Sequence, residues 1–376
     1  MLHYRIALIE QKMAAKTISN EHSKELLDAL THIWNHTFSF LNSMALKCAI
    51  QLSIPDAIHK HGKPITINEL ANSLSIHPNK AQSLQQLMRL LVHSHFFTAT
   101  KLVNGEEAYS LTLNSQLLLQ DHPFTQATFA LLEMEQVITE PSHSFSVWFR
   151  QEDDHDESPF YMAQGKNIYE RMPNKAKFNE LFNQTMANDS RLISSLLLSS
   201  NEFKSSIEGI ESLVDVGGGV GIMAKAIAEA YPKLNCIVFD LPHVVKGLQG
   251  NGRNLTYVAG DMFEAIPRAH AVLLKWALHN WSDDNCIKVL QRCREAIPSK
   301  NEGGKVIIIE IVVGIPSDTA SHFNSQFLMD MQMLSVSGGK ERTEEQWKYL
   351  FDNAGFSDYK ILPILGARSV IVVYPT

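Results

Sequence analysis

The sequence has little that points to nucleic acid, to a membrane or to an oxidising compartment. Its 33 Lys and Arg are outnumbered by 40 Asp and Glu, for a formal charge of -7. Phosphate-backbone binding draws on a basic excess or stripe, so nucleic acid is not an expected partner. No stretch approaches the ~20 uninterrupted apolar residues that span a bilayer, so no membrane partner is expected. Only four cysteines occur, Cys48, Cys236, Cys286 and Cys293, and no two form a CxxC pair. That excludes a disulfide scaffold, fits reduced thiols and makes a cytoplasmic location the default. Residues 1–12 carry Arg5 but no long apolar core, so no secretory signal is read there. Residues 1–19 are expected to be a disordered extension, with Met13 as a second candidate start.

What is there is ordinary globular composition, 45% hydrophobic and 19% charged over 376 residues. At about 150 residues per domain this predicts two or three domains. Residues 24–52 place Leu27, Leu30, Trp34, Phe38, Leu41, Ala45 and Cys48 at helical spacing, which predicts one buried helical face ending before Pro55. Thr66 and Glu69 form a capping-box pattern. A turn at Ser75–Asn79 precedes a helix with Leu84, Leu87, Met88, Leu91 and Val92 on one face. Asn104-Gly105 between Phe96–Thr98 and Tyr109–Leu111 signals a hairpin. Helix, turn, helix and hairpin is the winged-helix order. The second helix offers only Lys80 and Arg89 as cations, so dimerisation or scaffolding is expected rather than DNA binding. The acidic run 151–157 reads as a solvated loop, and the pairs His59/His61 and His93/His95 as surface histidines.

Past residue 205 the rhythm changes. Leu213–Val216, Cys236–Phe239, Thr256–Val258, Ala271–Leu274 and Lys305–Val313 are short β-rich runs separated in several places by helical stretches such as Asp283–Ile297. This predicts an α/β domain with a mostly parallel sheet. The short link between Tyr359–Ile364 and Ser369–Tyr374 predicts an antiparallel pair at its edge.

Leu213–Gly221 runs from a strand into a glycine loop that opens a helix. Glycines there permit positive φ and close approach to a ligand. The pattern Gly219-x-Gly221-x-x-Ala224 also satisfies the dinucleotide fingerprint, so NAD and S-adenosylmethionine compete. Asp215 beside the loop would repel a pyrophosphate, which prefers amide donors. It suits the sulfonium and ammonium of S-adenosylmethionine. Asp240, ending the next strand, suits ribose hydroxyls in either cofactor. Asp261 can accept from an adenine amine while Met262 covers the ring. Each acid alone also reads as a strand end or helix cap.

His279 follows the fourth strand, at the edge where open α/β sheets place their sites. A lone histidine is more often structural. Glu310 lies in the apolar run Ile307–Val313, where a carboxylate must find a partner. Glu341 lies just before a helix, where an acid also has a plain helix-dipole reading. Together the two acids would orient the imidazole and stabilise its protonated form.

These elements resemble the plant class I small-molecule O-methyltransferases of the caffeate/isoflavone/flavonoid type, which are cation-independent. The matching stretches are Leu213–Gly221, Phe239–Pro242, Gly260–Phe263, Leu274–Trp281 and Gly338–Thr343, in the family's order. The resemblance covers about residues 20–376. It implies a C-terminal Rossmann-like S-adenosylmethionine-dependent domain behind a mostly helical, winged-helix-like dimerisation domain. The implied division is 20–125 for dimerisation, 126–204 for a helical linker and substrate wall, and 205–376 for catalysis. It also implies a homodimer without a catalytic metal, acting on a small aromatic phenol. Asp215, Gly217, Gly219, Asp240, Leu241, Asp261, Met262 and Lys275 would contact the cofactor. His279 would be the general base, flanked by Glu310 and Glu341. Phe178, Phe182, Met186, Trp276, Asn280, Met329 and Met333 would line the substrate pocket. Two departures matter: Asn280 stands where many members carry Asp, and Val336 where caffeate-type members carry Asn. Asn280 still accepts and donates hydrogen bonds but carries no charge, and Val336 weakens a lignin-precursor assignment; the pocket looks more apolar and could accept a flavonoid, stilbene, alkaloid or simple phenol. A non-catalytic or heterodimer-partner homologue, an N-methyltransferase and a nicotinamide oxidoreductase stay open as alternatives.

Overall fold

The computed structural model describes residues 20–151, 158–171, 176–315 and 320–376; most of the acidic run, from 152 to 157, lies outside them. The chain divides into two compact units between Ser115 and Gln116.

The first unit contains α1 (Asn20–Phe38), α2 (Phe40–Gln51), α3 (Ile54–His61), β1 (Ile65–Thr66), α4 (Ile67–Ser73), α5 (Ala81–His93), β2 (Phe97–Lys101) and β3 (Glu107–Leu111). The expected helix over 24–52 is two helices, broken at Ser39, whose hydroxyl donates to the His36 carbonyl at 2.8 Å. Pro55 opens α3, where a proline's missing N–H costs nothing. The expected burial of the long apolar face is corrected: Leu27, Leu30, Trp34, Phe38 and Leu41 are 43–62% exposed, and burial begins only at Ala45. Periodicity reports a face that favours being covered, not that the same chain covers it. The rest of the unit follows its local signals. The Thr66 backbone N–H donates to Glu69 Oε2 at 2.8 Å and the Glu69 N–H returns to Thr66 Oγ1, closing the capping box. Leu84, Met88 and Leu91 of α5 enter the core with Ile54, Ile65 and Tyr109. Strands β2 and β3 pair antiparallel from Phe97↔Leu111 to Lys101↔Glu107, and β1 adds to β3, completing a winged-helix arrangement.

The second unit is built on a seven-stranded sheet in the order β11-β12-β8-β7-β4-β5-β6. Its strands are β4 (Ser212–Val216), β5 (Asn235–Asp240), β6 (Leu255–Ala259), β7 (Ala271–Lys275), β8 (Lys305–Glu310), β11 (Phe356–Leu365) and β12 (Arg368–Pro375). Strands β4 to β8 run parallel, and β12 and β11 close the edge antiparallel. The expected run 305–313 is two strands. β8 ends at Glu310, and β9 (Val312–Val313) leaves the sheet to pair with β10 (Arg342–Thr343). That departure brings the chain segment of Glu341 to the end of β8.

Helices cover both faces, so the central strands read as nearly continuous apolar runs. Val214, Val216, Leu274 and Ile308 face α9 (Asp283–Ala296) and α11 (Glu344–Ala354). Leu213, Leu273, Ile307 and Ile309 face α8 (Ile222–Ala230) and the end of α7 (Ala176–Ser199). Two further helices, α6 (Ala127–Glu133) and α10 (Ala320–Ser337), belong to this unit. The sheet order reverses between β4 and β7. The carboxyl ends of those strands are therefore a topological switch point, the usual ligand position in open α/β sheets.

Candidate functional site

The carboxyl edge of the sheet carries a titratable residue at or just beyond each central strand: Asp215, Asp240, Asp261, Lys275 and Glu310. The glycine loop between β4 and α8 is shaped by positive φ at Gly217 (68°), Gly219 (56°) and Gly221 (82°). At Gly221 an added Cβ would also sit 2.6 Å from the Tyr257 hydroxyl, so glycine is required there twice over. Asp240 ties the loop down: the Gly219 N–H donates to its Oδ2 at 2.8 Å and the Leu241 N–H to its Oδ1 at 2.7 Å. The Leu241 side chain itself is 41% exposed. Asp215 is buried, and its Oδ2 has no hydrogen-bond partner among the described residues. Burial pushes its carboxyl up to about 7, partly opposed by Lys275. In the loop after β6, Asp261 Oδ1 accepts the Phe263 N–H at 2.9 Å, and Met262 packs against the core below.

Lys275 ends β7 in a buried ion pair with Asp189 of α7, at 2.7 Å. Arg368 of β12 adds two hydrogen bonds to the same carboxylate, at 2.7 and 3.0 Å. Burial works against the Asp189 charge, but the two cations outweigh it and hold the carboxyl below its ordinary range. The Arg368 guanidinium lies 4.0 Å from the centre of the Trp276 ring, which also stacks on His279 at 6.2 Å. Trp276 has φ of 50°, a left-handed conformation that is strained for a bulky residue. The cation stacking holds the ring across that turn. Neither Asp189 nor Arg368 stood out in the sequence. Each needs the fold to bring it to β7.

His279 sits in a 3₁₀ turn, Leu278–Asn280, and is buried. Its Nδ1 lies 2.8 Å from Glu341 Oε1 and 3.3 Å from Glu310 Oε2. Both acids therefore address the same ring nitrogen, Nδ1. Glu310 is itself anchored, its Oε1 accepting the Ala277 and Leu278 N–H groups at 2.9 and 3.1 Å. The segment that follows α10 wraps the turn. Buried Arg342 donates to the carbonyls of Leu278 and Trp281, and the Lys340 N–H to that of His279. A side chain at Gly339 would collide with the His279 carbonyl. Burial disfavours charge on all three groups. It holds the imidazole below its usual value against the pull of Glu310. It raises Glu310, and with nearby Asp330 it raises Glu341 to about 8. Among the described residues these three side chains are also the one cluster compatible with a metal ion.

A cavity opens over His279, lined by Phe182, Met186, Trp276, Asn280, Met329 and Met333 together with Phe129, Leu132, Ile138, Ile168 and Val336. It thus gathers six of the seven residues expected at the substrate. Phe178 is not among the lining residues; it is buried behind that wall, in a cluster that shares Leu132 and Val336 with it, one helical turn from Phe182. Two polar lining residues went unnoticed in the sequence, Glu133 and Gln332. A larger open groove lined by Asn201, Glu202, Lys360 and Tyr374 holds none of the expected residues.

A doubly wound sheet with a glycine loop at the switch point, acids at successive strand ends and a buried histidine–glutamate cluster defines a cofactor-dependent α/β enzyme. The O-methyltransferase domain matches residues 144–357 and the O-methyltransferase dimerisation domain residues 34–121. The chain is 50% identical to trans-resveratrol di-O-methyltransferase of Vitis vinifera, over 94% of this chain and 98% of that protein. It is 49% identical to flavonoid 8-O-methyltransferase 1 of Ocimum basilicum, over 94% and 98%. In fold it is similar to a solved methyltransferase of calicheamicin biosynthesis in its SAH-bound form, with TM-score 0.77, 23% identity and coverage of 93% and 99%. The chain belongs to the O-methyltransferase family.

Proposed function

We propose that this enzyme transfers the methyl group of S-adenosylmethionine to a phenolic hydroxyl of a plant secondary metabolite, with His279 as general base. The acceptor class is a flavonoid or isoflavonoid, stilbene, phenylpropanoid or phenolic alkaloid, in keeping with relatives named for resveratrol, flavonoids, chavicol and cephaeline. One observation carries the reading: a buried imidazole whose Nδ1 is hydrogen-bonded to Glu341 and faces Glu310 at 3.3 Å, beside a largely apolar cavity.

The donor set fits S-adenosylmethionine better than a dinucleotide. The unpartnered Asp215 oxygen suits a cationic group, and Asp240, Asp261 and Met262 offer acceptors and an apolar face. Gly217, Gly219 and Leu241 bring backbone close to the same place, and Lys275 lies beneath it. When bound, S-adenosylmethionine supplies an electrophilic methyl group. A phenol with pKa about 10 is roughly one part in a thousand ionised at pH 7, so its proton must be taken up as it reacts. Burial keeps His279 neutral. With Nδ1–H donated to Glu341, Nε2 has a free lone pair for that proton. Glu310 faces the imidazolium as it forms: burial raises its carboxyl, while the ring's charge and two backbone N–H donors favour its ionised form. Phe182, Met186, Met329 and Met333 exclude water and suit a flat aromatic ring.

The reading includes no catalytic metal, because His279 Nδ1, the nitrogen nearest both glutamates, is hydrogen-bonded to Glu341 Oε1. It also includes a homodimer, for which the exposed apolar side chains of α1 and α2 supply the adhesive face. A cytosolic location accords with four free cysteines; no described helix is long and apolar enough to cross a membrane. The test is transfer of labelled methyl groups to a panel of phenols, phenolic alkaloids and aryl amines, with and without a chelator. Transfer to a phenol that survives chelation is expected. Transfer only to amines, or only with added metal, would overturn the reading.

A further inference from the structure

The cavity wall is apolar except at three places. Two are His279 and Asn280, whose amide stays with its own turn, donating to the carbonyls of Trp276 and Ala277 at 3.3 and 3.4 Å. The third is Glu133, the last residue of α6, paired with Gln332 of α10. Gln332 Nε2 donates to Glu133 Oε2 at 2.6 Å, a contact between residues 199 positions apart. Among the described residues no cation pairs with Glu133. A carboxylate offers about four lone-pair sites, and the amide occupies one. Burial with so little compensation pushes the carboxyl up to about 7. Desolvating an acid costs stability unless something satisfies it. A leucine would tie the two helices together without that cost.

We propose that Glu133 and Gln332 form a second polar anchor, accepting a hydrogen bond from a donor group of the acceptor that is remote from the hydroxyl being methylated. The enzyme then selects two-ended acceptors. His279 takes the reacting hydroxyl, and Glu133 holds a second hydroxyl or an ammonium at the other end. The proposal rests on the methyl-transfer reading and adds the acceptor's far end to it. A lone tie between α6 and α10 would instead support all acceptors equally.

The test uses two-ring phenols that share one reacting ring and carry a hydroxyl, an aminomethyl group, a methoxyl or hydrogen on the other. The readout is the ratio of kcat/KM between members of the series, in the full-length wild type and in E133Q and E133L. A hydrogen bond to a charged group predicts about a 10- to 100-fold preference of the wild type for a donor-bearing member over the hydrogen analogue. The hydroxyl and aminomethyl members show which donor is preferred. E133L should bring the ratio to near one. E133Q, which keeps size and one acceptor oxygen, should give an intermediate ratio. An E133L ratio equal to wild type would overturn the anchor, even if overall turnover falls. So would a wild type that ranks all four alike. A wild type that methylates none of them would instead overturn the underlying reaction, and the anchor with it.

Discussion

The two halves of the sheet's carboxyl edge solve their problems differently. Around β4 and β5 the work falls to backbone: three glycines in left-handed conformation, two N–H groups caught by Asp240, and one buried acid with an open oxygen. Around β7 and β8 it falls to side chains brought from far apart. His279 meets an acid 31 positions away and another 62 away, and Asp189 meets Arg368 across 179. The first half needs conformational freedom and acceptors. The second needs water excluded and charges paired, because burial is what keeps an imidazole neutral and a glutamate protonated.

If that division is right, the two halves can be broken separately. The largest effect falls on the β7 side. His279→Ala should lower turnover by ~10²–10⁴-fold while calorimetry shows S-adenosylmethionine still binding. Next comes Glu310→Gln. It removes a carboxyl that can ionise against the imidazolium and sets an amide donor against either the backbone N–H groups or Nδ1–H. A loss of about 10- to 100-fold in kcat is expected.

Glu341→Gln should cost less, a few-fold, because a neutral amide resembles an acid held up near 8. Its stronger signature is in stability. Glu341 ordinarily titrates at 4.5 and at about 8 in the fold, so the folded state binds the extra proton. Its contribution is fully present below about pH 4.5 and is lost as pH rises toward about 8. Urea unfolding should therefore show that slope in the wild type and a flatter one in the variant. His279 runs the other way, being held below its ordinary 6.5. Activity that needs the neutral ring should fall only on the acid side of pH 6.5, as pH drops through the lowered value. An effect of similar size, on binding rather than turnover, tests the backbone side. Asp240→Asn should weaken cofactor binding by roughly fivefold, about 1 kcal/mol, with kcat on saturating cofactor little changed.

The same contrast explains what was legible in the sequence. The glycine loop and the strand-end acids are local patterns, and the structure places them together at one edge. The capping box at Thr66 and the hairpin at Asn104-Gly105 are local too, and both formed as expected. Reading went wrong where the answer depends on what covers a surface or where a chain turns aside. The apolar face of α1 is periodic but uncovered. The run after Lys305 breaks at Ile311 because Val312 and Val313 pair with Arg342 and Thr343. Asp189, Arg368, Glu133 and Gln332 carried no local signal, since each matters only through a partner distant in sequence.

The central claim, proton removal by His279, is tested most directly by varying the acidity of the phenol. Wild type and His279→Ala would be compared on an ordinary phenol and on a nitrophenol acidic enough to be fully ionised at the assay pH. An acceptor that arrives without its proton needs no base. The account predicts that the loss in His279→Ala, large on the ordinary phenol, nearly disappears on the nitrophenol. An equal loss on both would contradict it and leave His279 as a residue that shapes the pocket rather than one that moves a proton.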